Sequence, residues 1–239
     1  GWTRKTVVEG DVISCTGGQL NQLNQVLNTT TTPTEKPLSN DEVIAGLRSA
    51  LSVGTDSSTL RASKLDGFYK NTRLFIPFPP EAIKAKEKVE ALGFKDKVDK
   101  FVLTLNRGAE EACKDAGPIF LNAIKNMSIA DGIGILKGGD NAATNYLKYK
   151  TTPELKTTFT PKVKDALNRV ELTKYWNPVI NTYNKIPGVE KQNPDLDAYV
   201  TDRAITGLFV LIADEELKIR KDPIARVNDI LKRVFGSKY

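Results

Sequence analysis

From Ser39 onward, apolar side chains recur at every third or fourth position, the spacing of one buried face of an α-helix. Val43, Leu47, Ala50 and Leu51 open the pattern. In front of them, Ser39-Asn-Asp-Glu42 has the form of a capping box. In such a box the serine and glutamate side chains each satisfy a backbone N–H that the first helical turn leaves orphaned. Asp66-Gly67 breaks the run. Pro77, Pro79 and Pro80 exclude a helix over residues 71–80, because proline lacks an N–H and clashes with the preceding turn. Pro80 instead suits the first turn of the next helix, which carries Ile83, Val89 and Leu92 on one side and stops at Gly93. Over residues 96–115, Val98, Phe101, Val102, Leu105, Ala109 and Ala112 make one stripe.

The pattern continues in shorter pieces. A helix with Ile119, Phe120 and Ile124 is expected after Gly117-Pro118, and Ser128-Ile-Ala-Asp131 opens another that ends at Gly138-Gly139. Asp140 is the expected N-cap of a helix through Tyr146 and Leu147. Thr152-Pro153 and Thr160-Pro161 each read as a cap followed by proline at a first helical position, hence as two further helix starts. Residues 174–185 are expected to be helical with a kink at Pro178. Asn193-Pro194 begins the longest helix, about residues 195–221, with the apolar centre Gly207-Leu-Phe-Val-Leu-Ile-Ala213. Asp222-Pro223 begins the last, halted by Gly236. No segment repeats and no strand pair is evident. The expected fold is all-α, a single multi-helix orthogonal array or bundle.

Residues 1–38 differ in kind. Val7, Val8, Val12 and Ile13 give a weak strand-like character, and residues 17–34 are rich in Gly, Gln, Asn and Thr. Such a composition buries little apolar area and reads as a polar lead or tether in front of a helical domain at 39–239.

Composition narrows the chemistry. Forty per cent hydrophobic and 27% charged residues describe an ordinary globular chain, and no apolar run approaches the roughly 20 residues that span a bilayer. The net charge of +6 is spread out, with lysines alternating with acids over residues 81–100. A nucleic-acid groove calls for clustered cations with stacking aromatics, so no nucleic-acid partner is expected. Histidine is absent, which rules out a Ser-His-Asp or Cys-His relay and imidazole metal ligands; two cysteines do not make a structural zinc site in one chain. No metal or cofactor is expected. Val12-Ile13-Ser14-Cys15 looks like a lipoprotein cleavage box, although residues 1–11 are too polar for a signal-peptide core and an accidental match explains it equally. Cys15 is thus a candidate for lipidation, or for a disulfide with Cys113.

Several features could carry function, each beside a plainer reading. Gly138 and Gly139 before a helix start leave backbone N–H groups open to an anion, but the glycines also stop one helix while Asp140 caps the next. Arg107 and Glu111 stand four apart around Gly108, either for close helix packing or for recognition of a carboxylate or phosphate. Asp214 and Glu215 follow the apolar centre of the long helix, and Glu216 and Arg220 share one helical face. Asn193, Asp195 and Asp197 alternate as in a calcium loop, but its central glycine and closing glutamate are missing. Phe75, Ile76 and Phe78 lie in an apolar, proline-rich stretch that must cover the core or meet a partner or lipid.

Ordered motifs run through the body: Ala50-Leu-Ser-Val-Gly54, Asp66-Gly-Phe68, Ile76-Pro-Phe-Pro79 and Asn106-Arg-Gly-Ala-Glu-Glu-Ala112. Ile135-Leu-Lys-Gly-Gly-Asp-Asn-Ala-Ala-Thr144, Pro194-Asp-Leu-Asp-Ala-Tyr-Val200 and Asp214-Glu-Glu-Leu-Lys-Ile-Arg220 follow. Over about residues 40–236 this resembles a bacterial family catalogued as domain of unknown function 4197. The resemblance implies a helical, commonly exported protein with a signal peptide or lipoprotein anchor, and brings no catalytic residue. The expectation is an exported, envelope-associated protein of the periplasm or outer membrane, non-catalytic, acting by binding or self-assembly. Its expected partners are a second copy, an envelope protein or a membrane surface. A small-ligand or lipid-binding protein and a carboxylate-based hydrolase are the alternatives; the hydrolase requires Asp140, Arg107 and residues 214–216 to converge.

Overall fold

The computed structural model describes residues 39–170, 174, 176, 180–181, 184–188, 191 and 195–221. The lead at 1–38, Cys15, most of the helix expected at 174–185 and the one expected from Asp222-Pro223 lie outside the described residues. The described residues belong to one compact unit beginning at Leu38.

Among the described residues seven α-helices have defined bounds: α1 (Asn40–Ser63), α2 (Ile83–Ala91), α3 (Lys95–Cys113), α4 (Ala116–Lys125), α5 (Ile129–Lys137), α6 (Ala142–Leu167) and α7 (Leu196–Lys221). A 3-10 turn, Pro80–Ala82, leads into α2, and there is no strand among the described residues. The fold is all-α. α6 packs most extensively on α3 and α7, and α7 also lies along α1 and α3. Between them sits one apolar core, in which Phe68, Phe101, Phe120 and Phe159 are fully buried.

Local sequence sets most boundaries. The capping box at Ser39 forms: its hydroxyl accepts the Glu42 N–H, and the Glu42 carboxylate accepts the Ser39 N–H at 2.8 Å. Ser128 and Asp131 repeat the device at α5. α1 ends before Asp66, whose φ of 65° turns the chain. Gly67 has no room for a side chain, since a Cβ there would lie 2.5 Å from the Arg61 carbonyl oxygen. Gly93, at φ 90°, stops α2 as expected.

Two expectations fail in α6. Thr152-Pro153 and Thr160-Pro161 do not start helices; α6 runs unbroken through both prolines. The reason is tertiary. Leu147, Thr151, Leu155, Phe159, Val163 and Leu167 are buried at every fourth position, a stripe that drifts about 40° per step around the helix and so meets successive neighbours. Burying it outweighs the roughly 3 kcal/mol that an interior proline costs. The threonines thought to be caps instead donate backward: Thr152 to the Lys148 carbonyl at 2.6 Å and Thr160 to that of Lys156 at 2.7 Å.

Candidate functional site

The buried polar side chains show what the candidate residues do. Glu216, on the inner face of α7, points its carboxylate at the first turn of α6. It accepts the N–H groups of Ala143 and Thr144 at 2.9 and 2.8 Å and the Thr144 hydroxyl at 2.7 Å. Arg220 pairs with the same carboxylate at 2.7 Å and also donates to the Ile135 carbonyl at the end of α5. A carboxylate at a helix N-terminus is doubly favoured, by open donors and by the helix dipole. The N–H groups that meet this carboxylate belong to Ala143 and Thr144 and not to the glycine pair expected to hold an anion; the Gly138 N–H goes to the Ile135 carbonyl. Asp140 is not the N-cap; Asn141 holds that position without a side-chain bond, and exposed Asp140 pairs with Lys221 at 3.0 Å.

A second tie holds the turn after α1. Glu110 is buried on α3 and accepts the N–H groups of Phe68 and Tyr69 at 3.0 and 3.2 Å. Its other oxygen takes Arg107 at 2.6 Å, and Arg107 reaches on to Asp66 at 2.7 Å. Hydrogen bonds from Lys70 and then Arg107 hold the Asp66 carboxyl below the usual carboxylate range. The spacing that paired Arg107 with Glu111 thus gives the wrong acid, because Glu110 is the one turned inward; exposed Glu111 pairs with Lys114 instead. A third tie comes from Asn106, whose amide accepts the Ile76 N–H and donates to the Ile76 carbonyl, both at 2.8 Å.

That amide fixes the proline-rich stretch against the body. Ile76 and Phe78 are buried, Phe78 against Phe101 and Trp176, so neither is free to meet a partner or lipid. Phe75 is 37% exposed beside Tyr69. Cys113 is a free thiol in the core, and its candidate disulfide partner Cys15 lies outside the described residues; burial, then the Glu110 charge, pushes the Cys113 pKa up.

The carboxylates and arginines proposed as one catalytic site are not assembled. Asp214 forms a two-bond pair with Arg73, at 2.7 and 3.1 Å, and Glu215 pairs with Arg61 and Lys218. Arg107, Asp140, Asp214 and Glu216 each sit in a separate pairing. Among the described residues no group of three or more acidic or cysteine side chains could hold a metal ion. Surface clefts also lie among the described residues. One of about 500 Å³, between α3 and the end of α6, is lined by Arg107, Glu111, Lys114, Lys162, Asp165 and Arg169. Another, of about 450 Å³, lies along the start of α7 beside Glu81, Trp176, Tyr199 and Arg203.

The sequence matches, over residues 37–236, the family described as "Protein of unknown function (DUF4197)". The chain belongs to that family. The motifs that suggested it, Asp66-Gly67-Phe68, Ile76 and Asn106-Arg107 with Glu110, are the residues that tie this DUF4197 fold together. No curated protein and no solved structure matches the chain.

Asp66, Asn106 and Glu110 were missed as working residues. A faint signal was present. Asn106 and Glu110 lie beside the apolar stripe of α3, four apart, where a polar side chain must find a buried partner.

Proposed function

We propose that this DUF4197 protein is a non-catalytic protein of the bacterial envelope, exported and acting by binding or self-assembly. The observation that carries this reading is the use made of its charged residues. Glu216 with Arg220, and Glu110 with Arg107 and Asp66, are spent on joining helices and turns, which rigidifies a scaffold. Export and envelope association come with the family resemblance. Fractionation of cells making the native protein tests location: periplasmic or envelope recovery is expected, and a wholly cytosolic protein would sink the proposal. Deleting residues 1–38 tests the tether; it should alter self-association or surface attachment and leave the helical spectrum and melting of the body unchanged. Unaltered assembly and location in that deletion count against it.

The small-ligand alternative retains one observation in its favour. Arg107, Lys114, Lys162 and Arg169 share a cleft of about 500 Å³. Lys162→Ala with Arg169→Ala, both at exposed positions, should then weaken binding of a dicarboxylate measured by calorimetry. Absence of any heat with the unaltered protein removes that reading.

A further inference from the structure

The hairpin made by α2 and the start of α3 stands apart in its packing, since no side chain from residue 83 to residue 97 is buried. Its inner side rests on the core through half-buried Val89. Its apex carries two large apolar side chains, Leu92 at 74% and Phe94 at 47% exposure, on either side of Gly93. This apex is a built turn. The Gly93 N–H donates to the Glu90 carbonyl at 2.9 Å and the Phe94 N–H to the Val89 carbonyl at 3.2 Å, with Gly93 in the left-handed region. That pair of bonds is the Schellman closure of a helix, so Leu92 and Phe94 are displayed from a fixed geometry.

The charge around the apex has one prevailing sign. From residue 83 to residue 100 the hairpin holds six lysines against four carboxylates. Lys86 pairs with Glu90 and Lys95 with Asp99. Among the described residues, Lys84, Lys88, Lys97 and Lys100 are left outside these ion pairs, against Glu87 and Asp96. Lys97 lies with its ammonium 5.5 Å from the centre of the Phe94 ring, a cation set beside an apolar wedge. An apolar apex on a lysine-rich hairpin, with one ammonium set beside its ring, matches a lipid–water interface, where rings and branched chains enter the acyl boundary and ammonium groups stay at the phosphates.

We propose that the α2–α3 apex is a membrane-contact element, inserting Leu92 and Phe94 into the interfacial layer of an anionic bilayer while lysines of the hairpin meet lipid phosphates. The hairpin's excess of lysine, on a chain of net charge +6, selects an anionic lipid surface as the occupant. The assignment deepens the envelope reading and rests on it for the source of the membrane. It also moves the lipid contact expected of Phe75, Ile76 and Phe78 to a different turn.

Co-sedimentation of the full chain with vesicles tests it, using phosphatidylcholine alone and an equal mixture with phosphatidylglycerol. Binding to the mixed vesicles is expected to be about tenfold tighter or more, and to weaken with salt. Leu92→Asp with Phe94→Asp should lower that binding about tenfold while leaving the helical spectrum unchanged, since both side chains are exposed. Lys88→Glu with Lys97→Glu should remove the preference for phosphatidylglycerol. No binding by the unaltered chain, or equal binding by the Leu92/Phe94 variant, overturns the proposal. A cytosolic location in cells together with intact vesicle binding would defeat the envelope reading and not the apex, so the two failures are separable.

Discussion

Glu216 is an acid in the interior whose desolvation is offset by three hydrogen bonds from α6 and one arginine from its own helix. Removing one member of such a set costs more than the set is worth, because the remaining charge keeps its desolvation cost and loses its counter-ion. Glu216→Ala leaves Arg220, 13% exposed at its side chain, without its acid and strips the α6 N-terminus of its acceptor. A loss of about 3–5 kcal/mol in denaturant unfolding is expected; a loss below about 1 kcal/mol would mean that water replaces the carboxylate there. Asp66 makes a different prediction, in pH. Lys70 first and Arg107 second favour its charged form, so its folded pKa lies below the unfolded one. The stabilisation is therefore complete above the ordinary carboxylate range and fades as pH falls through the folded midpoint. Carbon-detected NMR titration should find the Asp66 midpoint depressed, and Lys70→Ala should raise it; an unmoved midpoint contradicts the pairing.

At the scale of elements, legibility followed the range of the controlling interaction. The capping boxes at Ser39 and Ser128, the stop at Gly93 and the start of α7 just after Pro194 are local, and local sequence announces them. The continuity of α6 is not local. Threonine followed by proline is a sound start signal, and here it loses to a stripe from Leu147 to Leu167 that is visible only once α3 and α7 are in place. The carbonyl of Tyr149 consequently lacks its helical donor, since residue 153 has no N–H. Pro153→Ala, at an exposed position, should restore that bond and stabilise the protein by about 1–3 kcal/mol, read from the denaturant midpoint. A destabilised variant would show that the proline shapes a bend the packing needs. α2 marks the other extreme, a helix with no buried residue. Its amides should exchange with solvent far faster than those of α7 in hydrogen-exchange mass spectrometry, because few buried contacts have to break for it to open. Equal protection of the two helices would be incompatible with this packing.

For the whole molecule, fold class was readable because the period of the apolar residues belongs to each segment separately, whereas the candidate site was not, because convergence is a property of the assembled chain. Arg107 could be singled out from its motif, yet its partner Asp66 lies 41 residues away in the turn after α1, and Glu110 is turned inward by its bonds to that same turn. The same dependence on assembly makes Cys113 a reporter of the entire core. Its sulfur is fully buried between α3 and its neighbours, and burial keeps it protonated and unreactive. Local opening of α2 does not expose it, since it belongs to the cluster that also holds Phe101, Phe120 and Phe159. In a Cys15→Ser background, labelling of Cys113 by a thiol reagent should therefore be negligible in native buffer. It should accelerate with denaturant along the same curve as loss of helical circular dichroism, while α2 exchange changes little. Rapid labelling under native conditions would mean that the region around Cys113 opens independently, and that the ties at Glu110 and Glu216 do not make one cooperative body.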